Sequence, residues 1–287
     1  MKIGYHIGGS SAAELLNNIK ESRATIESYG FESCVQIFVS NPRRFGAMMP
    51  ENKIAAIREL DIPIVVHGAY IDLPWKPGAA RAISNIVKEY QICADIGARG
   101  LVVHFSRAAT VPANAARALQ RIEQDILAAV GQTAGQTAGL DRGPILFLEI
   151  NSAKPEHCDF AHVHQLNQFF SNIRALELRI PVGLCIDTAH LWACGVSMKT
   201  AADVQAWFGT LNVRAPLLLH LNDNKHELAA GRDYHSPLGT NIWADIHSGL
   251  MEIMQVADRH GALFIVERHR EDINNESELA LLQSLAA

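Results

Sequence analysis

Pro216 to Gly239 reads PLLLHLNDNKHELAAGRDYHSPLG. An apolar strand, Pro216 to Leu219, delivers His220 where the strand should end, and a polar loop then brings back Asp233 and His235, one residue apart. Extended backbone has a side-chain period of two, so a D-x-H pair presents its carboxylate and imidazole on one side. A carboxylate and an imidazole aimed at one point are ligand chemistry for zinc or a similar ion. An ordinary solvated loop also contains such residues, so the rest of the chain decides what this pair means.

Working outward from this strand, the chain alternates strand and helix. Strands are predicted at Lys2 to His6, Ser33 to Val39, Ile62 to His67, Leu101 to His104, Ile145 to Ile150, Val182 to Asp187 and Leu263 to Glu267, with the opening stretch as the seventh in order. Apolar spacing, caps and closing glycines predict helices at Ser10 to Tyr29, Glu51 to Leu60, Pro77 to Gly97, Pro112 to Val130 and Asp159 to Leu178. Three more follow at Ala201 to Leu211, Ile242 to His260 and Asn274 to Leu285. The tandem GQTAGQTAG, Gly131 to Gly139, reads as a flexible insertion in a loop, because the alternation resumes directly after it. Eight such units with near-continuously apolar strands predict an α/β fold, a (β/α)8 TIM barrel forming a single domain over residues 1–287. An open doubly wound sheet is the alternative, but no glycine-rich phosphate loop follows the first strand.

Composition narrows the function. Hydrophobic residues make up 48% of 287, enough for one large core, and a net charge of −5 excludes a globally basic nucleic-acid binder. The five cysteines show no CxxC spacing, and Cys34, Cys93 and Cys185 fall in strand- or helix-like runs where buried free thiols are expected. The odd count, with no apolar signal segment at the start, predicts a reducing, intracellular compartment. No 18-residue apolar run exists to span a membrane.

Barrel enzymes place their chemistry at the C-terminal ends of the strands. Here those ends carry His6, His67, His104, Glu149, Asp187 with His190 three residues on, His220 followed by Asp233 and His235, and Glu267; only the second strand offers no metal-capable group. Any one of these residues alone would be a hydrogen-bonded loop histidine or a solvated carboxylate. With His6 set aside, five histidines and four carboxylates at one rim need positive charge between them to be stable. Mixed His and carboxylate ligation without Cys favours zinc, with manganese an alternative at one site. Nine ligands suit two or three ions sharing a bridging carboxylate, the arrangement that clamps both oxygens in phosphoester cleavage. Three divalent ions would bring the formal charge from −5 to +1, with all the gain at the rim where a phosphate backbone would bind.

HGAYIDLPW (His67 to Trp75), LEINSA (Leu148 to Ala153), CIDTAH (Cys185 to His190) and HLND with D-x-H (His220 to His235) resemble the motifs of the endonuclease IV class of apurinic/apyrimidinic (AP) endonucleases. GLCIDTAHLWACG and HGAYIDLPW look closest to versions carried by large DNA viruses. The resemblance implies a monomeric barrel holding three zinc ions and acting on damaged double-stranded DNA. It places His67 and His104 on a first ion, and Glu149 bridging to a second completed by Asp187, His220 and Glu267. His190, Asp233 and His235 would take the third. Glu149 and Glu267 stand nearest the chemistry, which is hydrolysis of the phosphodiester 5′ to an abasic site to leave a 3′-hydroxyl. Arg43, Tyr70 and Ile71 match the family's DNA wedge, where an aromatic–aliphatic pair beside a guanidinium replaces lost base stacking. Pro42 stands where a polar residue is usual, Gly68 follows the first ligand where an acidic residue often does, and the insertion lengthens the segment before Glu149. Two other readings remain: a metal-dependent sugar isomerase or epimerase on a related barrel, which has no use for the His190, Asp233 and His235 trio, and a non-catalytic barrel, which would be expected to have lost ligands.

Overall fold

A computed structural model describes residues 1–71, 73–132, 143–268 and 275–286. Eight parallel strands close into a barrel: β1 (Lys2–His6), β2 (Glu32–Phe38), β3 (Ile64–His67), β4 (Gly100–His104), β5 (Ile145–Glu149), β6 (Val182–Asp187), β7 (Leu217–His220) and, after a short hairpin, β10 (Leu263–Val266), which pairs with both β7 and β1. The hairpin strands β8 (Asp223–Asn224) and β9 (His235–Ser236) pair antiparallel outside the barrel. Helices α1 (Ala12–Ser28), α2 (Glu51–Arg58), α3 (Ala80–Asp95), α4 (Pro112–Gln132), α5 (Val163–Arg174), α6 (Thr188–Ala193), α7 (Ala201–Phe208), α8 (Ser248–His260) and α9 (Glu276–Ala286) complete the units.

The barrel interior explains where the site lies. One layer of side chains, Cys34, Val65, Val102, Phe147, Cys185, Leu218 and Ile265, forms a buried apolar cluster inside the ring. The large Phe147 ring fits because Gly100 and Gly183 face it: a Cβ on either would stand 2.7 Å from the ring. Two residues further along each of these strands the side chains return to the same face. That step gives Gln36, His67, His104, Glu149, Asp187, His220 and Glu267, with His6 two beyond Gly4. The polar site is therefore the next layer of the same barrel.

Several predicted boundaries move for identifiable reasons. The helix expected from Ile242 begins only at Ser248, because the buried Asp223 carboxylate accepts the backbone N–H groups of Thr240, Asn241 and Ile242 and holds them in a loop. The helix expected from Asp159 begins at Val163, after two short 3-10 turns at Pro155–His157 and Asp159–Ala161. Helix α6 was not predicted; Asp187 caps it, accepting from the N–H groups of Ala189 and His190. Helix α4 runs through Gly131 and Gln132, and the rest of the tandem insertion lies outside the described residues.

Cys34, Cys93 and Cys185 are buried free thiols, as expected. Cys158 and Cys194 are joined by a disulfide across 36 residues, a pairing that the cysteine spacing did not indicate. Tertiary packing, not local spacing, brings this pair together. No helix among the described residues is long and apolar enough to cross a membrane.

Candidate metal centre

All nine predicted donors meet at the C-terminal mouth of the barrel. Glu149, fully buried, is the hub: its Oε2 lies 2.8 Å from His104 Nε2 and 3.2 Å from His67 Nε2. Its Oε1 lies 2.9 Å from His220 Nδ1 and 3.5 Å from His190 Nδ1. Three sets have donor atoms mutually within 4.8 Å: His67, Glu149 and His220; Glu149, Asp187, His220 and Glu267; and Asp187, His190 and His235. Asp233 joins the last set, with Oδ2 3.2 Å from His190 Nε2 and Oδ1 3.0 Å from His235 Nε2. Glu149 Oε2 and His235 Nε2, although this close to their neighbours, make no aligned hydrogen bond. Buried polar atoms normally have one. Each instead belongs to a set of donor atoms lying within 4.8 Å of one another, a spacing that ligands of an ion can adopt, so the donor set fits metal binding.

Local structure aims each donor. Asp187 spends Oδ1 on the α6 N-terminus and turns Oδ2 inward, while α6 carries His190 three residues on. His190 Nδ1 is 2.7 Å from the Ile150 carbonyl oxygen, leaving Nε2 toward Asp233. The β8–β9 hairpin pairs Asn224 with His235 and so folds the Asp233/His235 end of the loop back over the barrel.

Charge is balanced within the cluster. Burial alone would raise the Glu149 carboxyl, but the His104 and His220 imidazoles hold it well below the usual carboxylate range. Burial acts the same way on Glu267, and His220 and His6 reverse it. Burial opposes a charge on His190, yet Asp187 and Asp233 raise it well above the ordinary imidazole value.

The predicted wedge residues stand at the lip. Tyr70 N donates to the Pro42 carbonyl at 3.0 Å, which joins the two loops and brings the exposed Arg43 beside Tyr70. The Tyr70 ring, 44% exposed, lies 5.3 Å from the His67 ring and stacks at 5.7 Å on His104. Ile71 is half-buried. Tyr70 also lines a cavity of about 380 Å³ with His6, Phe38, Asp233, Tyr234, His235, Glu267 and Arg268.

Sequence reading passed over Gln36 and Asn222. Asn222 donates to Asp187 Oδ2 at 2.6 Å and accepts from the Glu267 N–H at 2.9 Å, joining two donors of the second set. Its place in HLND was a usable signal. For Gln36 the signal was its position two residues beyond Cys34.

A closed (β/α)8 barrel with a polyvalent His/carboxylate centre at its C-terminal mouth is the class this architecture defines. The chain belongs to the xylose isomerase-like TIM barrel family, whose model matches residues 24–286. It is 28% identical to a protein named "Probable AP endonuclease" of African swine fever virus (isolate Tick/Malawi/Lil 20-1/1983), over 91% of this chain and 88% of the viral one. A "Probable endonuclease 4" of Mycobacterium tuberculosis (strain ATCC 25177 / H37Ra) is 29% identical over 72% of this chain and 75% of its own. Among solved structures, one described as AsfvAP:AG superposes with a TM-score of 0.83 at 26% identity, covering 99% of both chains.

Proposed function

We propose that the protein is a zinc-dependent AP endonuclease that hydrolyses the phosphodiester 5′ to an abasic site in duplex DNA and leaves a 3′-hydroxyl. One observation carries the reading: a third donor group, His190, Asp233 and His235, stands beside the groups that share Glu149. A sugar isomerase with a smaller metal site has no use for it, and the AP endonuclease names of the relatives agree with the nuclease reading.

His67, His104 and Glu149 would hold one ion, Glu149, Asp187, His220 and Glu267 a second, and His190, Asp233 and His235 a third, with zinc expected and manganese an alternative at one site. When bound, zinc supplies hydroxide at neutral pH and neutralises charge on a phosphodiester. The chain's own residues do the rest. Glu149 and Glu267 set the charge and spacing of the donors around the reacting phosphate. Tyr70 and Ile71 enter the duplex with Arg43 beside them, filling the gap at the abasic nucleotide and carrying its phosphate to the mouth of the barrel. No side-chain nucleophile is required. The protein acts as a single-domain monomer on DNA inside the cell.

The test is incision of a synthetic abasic duplex by zinc-loaded protein, with and without chelator. Chelator-sensitive cleavage leaving a 3′-hydroxyl is expected, and intact duplex with fully loaded protein would overturn the proposal.

A further inference from the structure

Seven of the eight side chains in the polar barrel layer are imidazoles or carboxylates, and the eighth is the amide of Gln36 on β2. It is fully buried, and both polar atoms of its side chain are engaged within that layer. Its Oε1 lies 2.9 Å from His220 Nε2, and its Nε2 lies 2.6 Å from Glu267 Oε1 and 3.0 Å from His6 Nδ1.

The neighbours determine which way round the amide sits. An ionised carboxylate only accepts hydrogen bonds, so the group facing Glu267 must be the NH₂ and the group facing His220 the carbonyl oxygen. A carbonyl oxygen also only accepts, so His220 must carry a proton on Nε2. Its Nδ1 is then the atom left for a ligand bond, and Nδ1 is the nitrogen that faces Glu149 at 2.9 Å and Glu267 Oε2 at 3.5 Å. The same amide ties down Glu267 Oε1 and leaves Oε2 turned toward the donor cluster.

We infer that Gln36 is a positioning residue for the metal centre: one buried amide selects the His220 tautomer that coordinates through Nδ1 and holds Glu267 to coordinate through Oε2. This rests on the metal-binding reading proposed above. It also accounts for the second strand's lack of a ligand, since β2 supplies the hydrogen bonds that orient ligands from β7 and from the end of β10. Outer partners of this kind typically contribute ~10–100-fold to metal affinity.

The test uses zinc alone. In zinc-loaded wild-type protein, ¹⁵N NMR of His220 should show a metal-bound Nδ1 and a protonated Nε2. The Gln36→Met variant, similar in length but without polar atoms, should lose zinc to a competing chelator at ~10–100-fold lower chelator strength. Melting of the zinc-free Gln36→Met protein should fall less than melting of the loaded form, whereas a purely structural role would lower both alike. Tightly held zinc together with a proton on His220 Nδ1 would overturn the inference and leave the metal reading intact. Wild-type protein that retains no zinc would overturn both. Because the NMR result comes from the wild type, the inference is testable even if the variant does not fold.

Discussion

Replacing Glu149 with Gln keeps the side chain's length and one acceptor but removes its charge. In the ion-free protein four imidazoles lie within 3.5 Å of this buried carboxylate. Removing one member of a buried charge pair typically costs ~3–5 kcal/mol. A loss of about 3 kcal/mol, the lower end of that range, is expected, or roughly 6–12 °C in melting temperature for a domain of this size. The effect on metal should be larger and selective. Glu149 belongs to two of the three donor sets, while Asp187, His190 and His235 form a set without it. Outer-shell changes cost up to ~100-fold in affinity, so loss of a shared inner anion should cost at least ~100-fold, about 2.7 kcal/mol, at each of two ions. Zinc retained against a graded chelator series, read beside incision of an abasic duplex, measures both effects. The variant should keep about one tightly held ion, and incision should fall at least ~100-fold. Full zinc retention with wild-type incision would refute the assignment of Glu149 as the hub.

Metal analysis of purified protein should give close to three zinc ions, or zinc with manganese, per chain; one ion per chain would sink the three-site reading. Tyr70→Ala or Arg43→Ala should weaken binding to an abasic duplex far more than hydrolysis of a bare phosphodiester, and equal effects on both would remove the wedge. Zinc loading should release protons at neutral pH. Burial opposes the charged forms of His190, His220 and His235, but nearby groups, Asp187 and Asp233 for the first and third and Cys185, Glu267 and Glu149 for His220, raise all three above the ordinary imidazole value. Their contribution to the ion-free fold is thus complete below the ordinary imidazole range and lost as pH rises through the raised values. Zinc takes the unprotonated form, so affinity should fall as pH falls; calorimetry in buffers of different ionisation enthalpy reads the protons directly, and no net release would contradict the charge pattern. Gly100→Ala would put a Cβ 2.7 Å from the Phe147 ring and hard against the Ile145 carbonyl oxygen, and should cost at least ~1–3 kcal/mol in denaturant unfolding.

The barrel, and the rim at which nine candidate donors gather, were readable in the sequence because the repeating strand ends are local features. A strand running into His104 or Asp187 has a period of two and an apolar core face whatever lies around it, and eight such units close most simply as a ring. What lay beyond sequence was how the donors divide and what orients them. Gln36 and His220 are 184 residues apart and Cys158 and Cys194 are 36 apart, and no local pattern marks either pair. The opening stretch shows the same division. Its spacing marked His220, Asp233 and His235 as ligands, but only closure of the barrel set His220 Nδ1 against Glu149, and only the β8–β9 hairpin carried Asp233 back to His190. Local chemistry is set by residue type and period, whereas partnership depends on distances that exist only once the ring has closed.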